Sequence, residues 1–240
     1  SEPFADPSQI PTILLSQLTK SKVTVSLSGD GGDEIFGGYS RYFLGQRIVN
    51  SLGKIPFTLR HFIKVLNILD NSLTKNFFFF FLKNRLTGLQ GKYDKLINIF
   101  DFQDEKDLYA RLSTFQNSFL INDSNEKLYK ESIWSKNITY AEKAMMQDTI
   151  DYLPGDILRK VDLASMSTSL ETRIPFLDHE IISYAWTLPF DFKYRKGSGK
   201  FILKDIAHDH ISSDLLDRPK QGFDIPLNSY LRNELREYST

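Results

Sequence analysis

The sequence predicts a helix-rich α/β fold, and three observations carry that prediction. A β-rich run, Val23-Thr24-Val25-Ser26-Leu27, ends in the glycine-rich stretch Ser28-Gly29-Asp30-Gly31-Gly32-Asp33-Glu34. A helical pattern precedes the run, and helical patterns dominate everything after it. Helix, strand, glycine loop and helix in succession is the order of an open α/β sheet.

Taken along the chain, the first element is a helix from Gln9 to Lys20, because Ile10, Ile13, Leu14 and Leu18 recur at helical spacing behind Ser8 as N-cap. The strand Val23–Leu27 follows, read as buried, and then a helix from Glu34 onward. Residues 41–70, 105–120, 140–153, 156–170, 178–187 and 199–210 also read as helices. One strand cannot satisfy its own backbone groups, so it needs neighbours. Either its partner strands lie outside this chain or some helical readings are wrong, and the first is preferred. Residues 71–104, with Phe77–Phe81, read as a helical insert with a greasy face. Gly88 to Gly91 marks a break, residues 121–130 a polar connection, and no internal repeat is visible.

Composition removes several classes of function. The 240 residues are 41% hydrophobic and 25% charged, enough to bury a core. Thirty Lys+Arg balance thirty Asp+Glu, which argues against a nucleic-acid binder with a broad basic face. The absence of cysteine excludes disulfides, thiolate metal sites and cysteine nucleophiles. The apolar run Phe77–Leu82 is far short of the ~20 residues that span a bilayer, and the polar opening Ser1–Pro7 is no signal peptide. A cytoplasmic protein without a membrane partner is the expectation.

Three segments could carry chemistry. Ser28–Glu34 holds three glycines and three acids in seven residues. Behind a strand, this places acids where open sheets bind ligands, with glycines that let a ligand approach the backbone. Acids beside phosphate make sense with Mg²⁺ or an ammonium group between them; the plainer alternative is a tight turn with solvated acids. The stretch fits neither the Walker pattern nor G-x-G-x-x-G. Second, Leu153–Asp162 suggests a helix behind Pro154 that carries Lys160 and Asp162, with Glu171 and Arg173 leaving its far end. Ordinary helix charges and a surface ion pair are the alternative. Third, Arg218-Pro219-Lys220-Gln221-Gly222-Phe223 is a loop whose lysine suits charge neutralisation on phosphate. Gly197-Ser198-Gly199-Lys200 mimics a Walker ending but lacks its upstream glycine, and Phe201 replaces the hydroxyl. His208 and His210, two apart on a helix, point away from each other.

Together with Ser1–Asp6 and Arg173–His179, these segments resemble, in family order, the synthetase domain of glutamine-dependent asparagine synthetases. The resemblance implies part of an adenine-nucleotide alpha-hydrolase-like (PP-loop ATP pyrophosphatase) doubly wound domain over residues 1–240. It implies a ligase that uses ATP and Mg²⁺ to make an aspartyl-adenylate and pyrophosphate, after which ammonia displaces AMP to give asparagine. Carried over by motif, Ser28 and Gly29 contact ATP, and Asp33 holds Mg²⁺ and pyrophosphate. Asp30 orients the attacking nitrogen and accepts its proton, and Lys220 stabilises charge on the phosphoryl group. Lys160, Asp162, Glu171 and Arg173 line the aspartate and pyrophosphate region.

The chain departs from the family pattern in three respects. Leu163 stands where a basic residue is expected. The pyrophosphate loop Ser-Gly-Gly-x-Asp-Ser and the N-terminal glutaminase domain with its cysteine are both absent from these residues. The expectation is therefore a fragment, inactive alone, whose parent receives ammonia from a glutaminase domain outside this chain. A homodimer stays open. So do an amide ligase acting on another carboxylate acceptor and a non-catalytic binding module.

Overall fold

The computed structural model describes residues 6–69, 99–113, 131–216, 225–234 and 236–238. It is a helix-rich α/β structure that divides into two compact units, Ser1–Phe36 with Thr149–Thr240, and Gly37–Asp148. The readings of Phe77–Phe81, Gly88–Gly91, residues 121–130 and the Lys220 loop lie outside the described residues. Among the described residues no helix is long and apolar enough to cross a membrane.

In the first unit, α1 spans Gln9–Lys20. Pro11 is tolerated because its missing N–H falls in the first turn, where it has no helical partner. Ser8 precedes the helix but does not cap it: its hydroxyl donates to Asp6 at 2.7 Å. The helix packs on α8 (Arg159–Met166), where Ser16, Ala164 and Ser165 are buried; small side chains allow the close approach. Of the apolar residues at helical spacing, Leu14 and Leu18 point outward, 60% and 64% exposed.

The strand β1 is shorter than read, Val25–Leu27, and it is not buried: Leu27 is 74% exposed. One partner lies inside the chain, which corrects the preferred reading to that extent. Glu171–Arg173 forms β2, parallel to β1, with Val25 opposite Glu171 and Leu27 opposite Arg173. Three charged and polar residues directly behind a helix carry little β signal, so spacing alone hid this strand. The short helix α2 (Gly32–Phe36) follows the glycine loop, and its Ile35 and Phe36 form a core with Ala185. Phe176, Leu177, Ile182, Ile202 and Leu203 close around them. Ile182 and Ala185 come from α9 (His179–Thr187), whose N-terminus is capped by the Asp178 carboxylate accepting from the Glu180 N–H at 2.8 Å.

Two further helical readings change. Residues 153–158 form a π-helical turn that opens with Pro154 and leads into α8. The proposed helix at 199–210 begins at Phe201 as α11 (Phe201–His208), behind the hairpin β3 (Tyr194–Arg195) and β4 (Ser198–Gly199). α10 (Phe190–Lys193) precedes that hairpin, and α12 (Ser213–Leu216) and α13 (Leu227–Arg232) lie beyond it.

The second unit holds α3 (Ser40–Leu52), α4 (Phe57–Leu69), α5 (Glu105–Ser113), α6 (Glu131–Trp134) and all but the last two residues of α7 (Tyr140–Ile150). The reading of one helix over 41–70 is corrected here. Gly53 ends α3, and Pro56, with no N–H to donate, opens α4.

On α3, Gly45 faces the buried Tyr140: a Cβ built there would lie 2.1 Å from its Cε1. Gly45→Ala gains helix propensity but forces that ring aside. We expect a net loss of about 1–3 kcal/mol, read as a lower denaturant midpoint for this unit.

Near the start of α4, Asp101 accepts from Lys64 and Arg111, each at 2.8 Å, and lies 3.1 Å from His61. Burial alone would raise its pKa, but the hydrogen bonds from Lys64, His61 and Arg111 outweigh burial and hold it at about 2. A depressed folded pKa stabilises the unit above the unfolded value and loses that contribution as pH falls through the folded one. Acid titration of a urea midpoint should therefore drop between about pH 4 and pH 2, and Asp101→Asn should flatten that drop.

Candidate active site

Because β1 and β2 are parallel, their carboxyl ends lie side by side. The Ser28 N–H donates to the Arg173 carbonyl at 2.8 Å, extending the ladder by one step before both segments turn away. The glycine loop leaves β1, and the turn Pro175–Leu177 follows β2. Gly31 has φ +80°, and a Cβ there would come within 2.7 Å of Leu177 Cδ2. Glycine is thus required twice, by conformation and by space. The Phe176 ring covers Gly32 and reaches Gly29. The acidic loop is therefore pressed onto the β2 turn, at the sheet end where open α/β folds bind ligands.

Within the loop the Ser28 hydroxyl donates to the Asp30 carboxylate, and the Asp30 N–H bonds back to Ser28 Oγ at 3.4 Å. Asp33, on the first turn of α2, has its Oδ1 3.0 Å from Lys200 Nζ. The incomplete Walker pattern that ends in Lys200 gives this residue no role in the sequence. A usable signal was present: Lys196-Gly197 between two short runs makes a two-residue hairpin turn, with both φ angles positive at 52° and 82°. That hairpin sends the chain back toward α2, where the Lys200 N–H donates to the Phe36 carbonyl at 3.2 Å.

The remaining predicted residues gather elsewhere in the first unit. On α8, Lys160 pairs with Asp6 at 2.8 Å. Burial would raise the Asp6 pKa, but hydrogen bonds from Lys160 and Ser8 hold it below the usual carboxylate range. One turn before Lys160, burial and the neighbouring Asp6 charge push the Asp156 carboxyl up. Asp162 and Leu163 are exposed on the same helix. Glu171 and Arg173 pair with each other at 2.7 Å on the open face of β2, while Ser26 and Thr172 meet on the other face. That is the surface ion pair weighed as the plain reading, and such exposed pairs contribute little. Lys220 lies outside the described residues.

Comparison with known proteins decides the family. A family model for asparagine synthase matches residues 1–240. This chain belongs to the asparagine synthase family. It is 31% identical over 238 residues to an asparagine synthetase [glutamine-hydrolyzing] of Bacillus subtilis, covering 99% of this chain and 36% of that protein. A putative asparagine synthetase of Mycobacterium tuberculosis is 30% identical over 248 residues, covering 99% of this chain and 35% of that protein. A shorter match, 49% over 59 residues, joins it to a putative asparagine synthetase of Methanocaldococcus jannaschii. The chain thus spans about a third of the length of the curated relatives that match it along its length. No solved structure matches it.

The resemblance implies ATP with Mg²⁺, and the loop can be tested for its fit to that pair. Among the described residues no three or more His, Asp or Glu side chains gather to hold a metal by themselves. Two carboxylates on one glycine loop are, however, the donor set that Mg²⁺ uses when substrate phosphates supply its other oxygens. The loop fits a cation that arrives with its nucleotide, and does not fit a resident metal.

Proposed function

We propose that this chain is the synthetase part of a longer glutamine-hydrolysing asparagine synthetase. It would adenylate the side-chain carboxylate of aspartate and form the amide with ammonia from a glutaminase domain outside these residues. The observation that carries the reading is the Ser28–Glu34 loop at the carboxyl end of a parallel strand pair, in a chain of this family. ATP with Mg²⁺ supplies the leaving group that a bare carboxylate lacks.

The chain's own residues then divide the work. Ser28 and Gly29 would contact the nucleotide, and Asp33 would hold the cation that neutralises its phosphates. Asp30, aligned by the Ser28 hydroxyl, accepts a proton from the attacking nitrogen. Lys220 meets the charge that develops on phosphate. Lys160, Asp162, Glu171 and Arg173 border the aspartate and pyrophosphate region, with Lys160 held by Asp6 until an anion competes for it.

The doubly wound PP-loop sheet is part of the same proposal. The exposed side of β1 and the outward apolar row of α1 are what a sheet completed by further strands would cover. The enzyme is placed in the cytoplasm, and its assembly as a homodimer belongs to the same reading.

The deciding experiment follows AMP and pyrophosphate release by the full-length protein with ATP-Mg²⁺ and glutamine, with and without aspartate. Aspartate-dependent release supports the reading. Release with another carboxylate but not with aspartate would move the acceptor, and no AMP with any acceptor would overturn the ligase assignment.

A further inference from the structure

We infer that Lys200 is a positioning residue for Asp33, a counter-cation built into the loop that yields the carboxylate to the nucleotide-borne metal. The inference rests on the reading of Asp33 given above, but its geometry is independent of that reading. Lys200 Nζ sits 3.0 Å from Asp33 Oδ1, and both side chains are partly shielded, 27% and 29% exposed. The residue is fixed from two directions. Its N–H is bound to the Phe36 carbonyl at the end of α2, the helix that begins beside Asp33. Its own carbonyl accepts the Lys204 N–H at 3.0 Å as α11 begins. Lys204 in turn donates to Ser198 Oγ at 2.6 Å, tying the helix back to the hairpin. Ile202 and Leu203, next in sequence, pack in the core with Ile35 and Phe36.

The backbone carries a second, separate observation. Lys200 is left-handed, with φ 54° and ψ 37°, a conformation a lysine adopts only when its surroundings impose it. A glycine would meet the backbone requirement at lower cost. The lysine is therefore explained by its side chain, and the contact that side chain makes is with Asp33.

Two cations cannot share one carboxylate without repulsion. In the nucleotide-free protein the Lys200 ammonium occupies Asp33 and disfavours a bare divalent ion. When phosphates bring the ion and their own negative charge, the ammonium can turn to a phosphate oxygen, so that each cation keeps an anionic partner. Lys200 thus makes cation binding depend on nucleotide and holds the carboxylate in place beforehand.

The test uses the full-length protein with Lys200→Met and Lys200→Arg, with Mn²⁺ as the probe. Free Mn²⁺ is followed by its electron paramagnetic resonance signal without nucleotide, and AMP formation is followed separately. Lys200→Met should bind bare Mn²⁺ about five- to tenfold more tightly, yet form AMP at least about tenfold more slowly. Lys200→Arg should return both values toward wild type. A residue that only supported the fold would weaken both. Mn²⁺ affinity in Lys200→Met within about twofold of wild type, or weaker, overturns the proposal. Should Lys200→Met not fold, Lys200→Gln carries the same comparison. A wild type that makes no AMP removes the synthetase reading, while the Mn²⁺ comparison still decides Lys200.

Discussion

Replacing Asp33 by asparagine in the full-length protein should abolish ATP-dependent AMP formation, a loss of at least about 100-fold, with the fold intact. Asparagine keeps the shape of the side chain, and its position on the first turn of α2 is set by neighbours rather than by its charge. Gly32 lies under Phe176 and Leu203, and Ile35 and Phe36 are buried against the same two side chains. The ion pair to Lys200 is partly exposed, so its loss should cost no more than about 1 kcal/mol of stability. What disappears is the negative charge that a divalent cation needs, and phosphates alone cannot replace a fixed ligand. AMP release and a melting curve on the same preparation separate the two effects. Glutamine hydrolysis, which the reading assigns to another domain, serves as the internal control. Wild-type AMP formation at an unchanged Mg²⁺ requirement would take Asp33 out of cation binding.

The acidic loop was legible because its signal is local. Glycine where φ must be positive, carboxylates between glycines and a strand just before them can all be read from Val23 to Glu34. Helices were legible for the same reason, down to the limits of α1. The misses share a different cause, since each depended on a partner distant in sequence. Glu171–Arg173 is a strand only because Val25–Leu27 lies alongside it. Lys200 matters only because a two-residue turn and a bond to Phe36 carry it to Asp33. Periodicity gave the apolar row of α1 but not the side of the helix that is covered. The Lys160–Asp6 pair, 154 positions apart, shows the same limit. Spacing along the chain reports neighbours one turn away, and says nothing about which loops a fold brings together.

In the second unit, Asp148→Ala should be the most damaging single change, costing about 3–5 kcal/mol. Asp148 lies at the end of α7, 1% exposed. Its Oδ2 accepts from Arg41 Nη2 at 2.5 Å, Arg41 Nε at 3.2 Å and the Tyr42 hydroxyl at 2.5 Å. Its Oδ1 accepts from the Tyr109 hydroxyl at 2.6 Å. Alanine would deprive a largely buried guanidinium of its carboxylate and two buried phenols of this acceptor, and weakening desolvated donors is expensive. Burial and the Asp148 charge both push the Tyr109 hydroxyl up in pKa, and the same two causes act on Tyr140. Raised folded values mean stability that is present below the ordinary tyrosine range and lost as pH climbs above it. The native protein should therefore weaken above about pH 10, and Tyr109→Phe should blunt that loss. The chain's two tryptophans fall one in each unit, so Trp186→Phe leaves Trp134, bonded to Gln147 at 2.9 Å, as the reporter. In that background the urea midpoint should collapse for Asp148→Ala and recover in part when Arg41→Leu is added. Recovery identifies the orphaned charge as the main cost. A double variant as weak as the sum of the two single changes would instead assign the loss to packing.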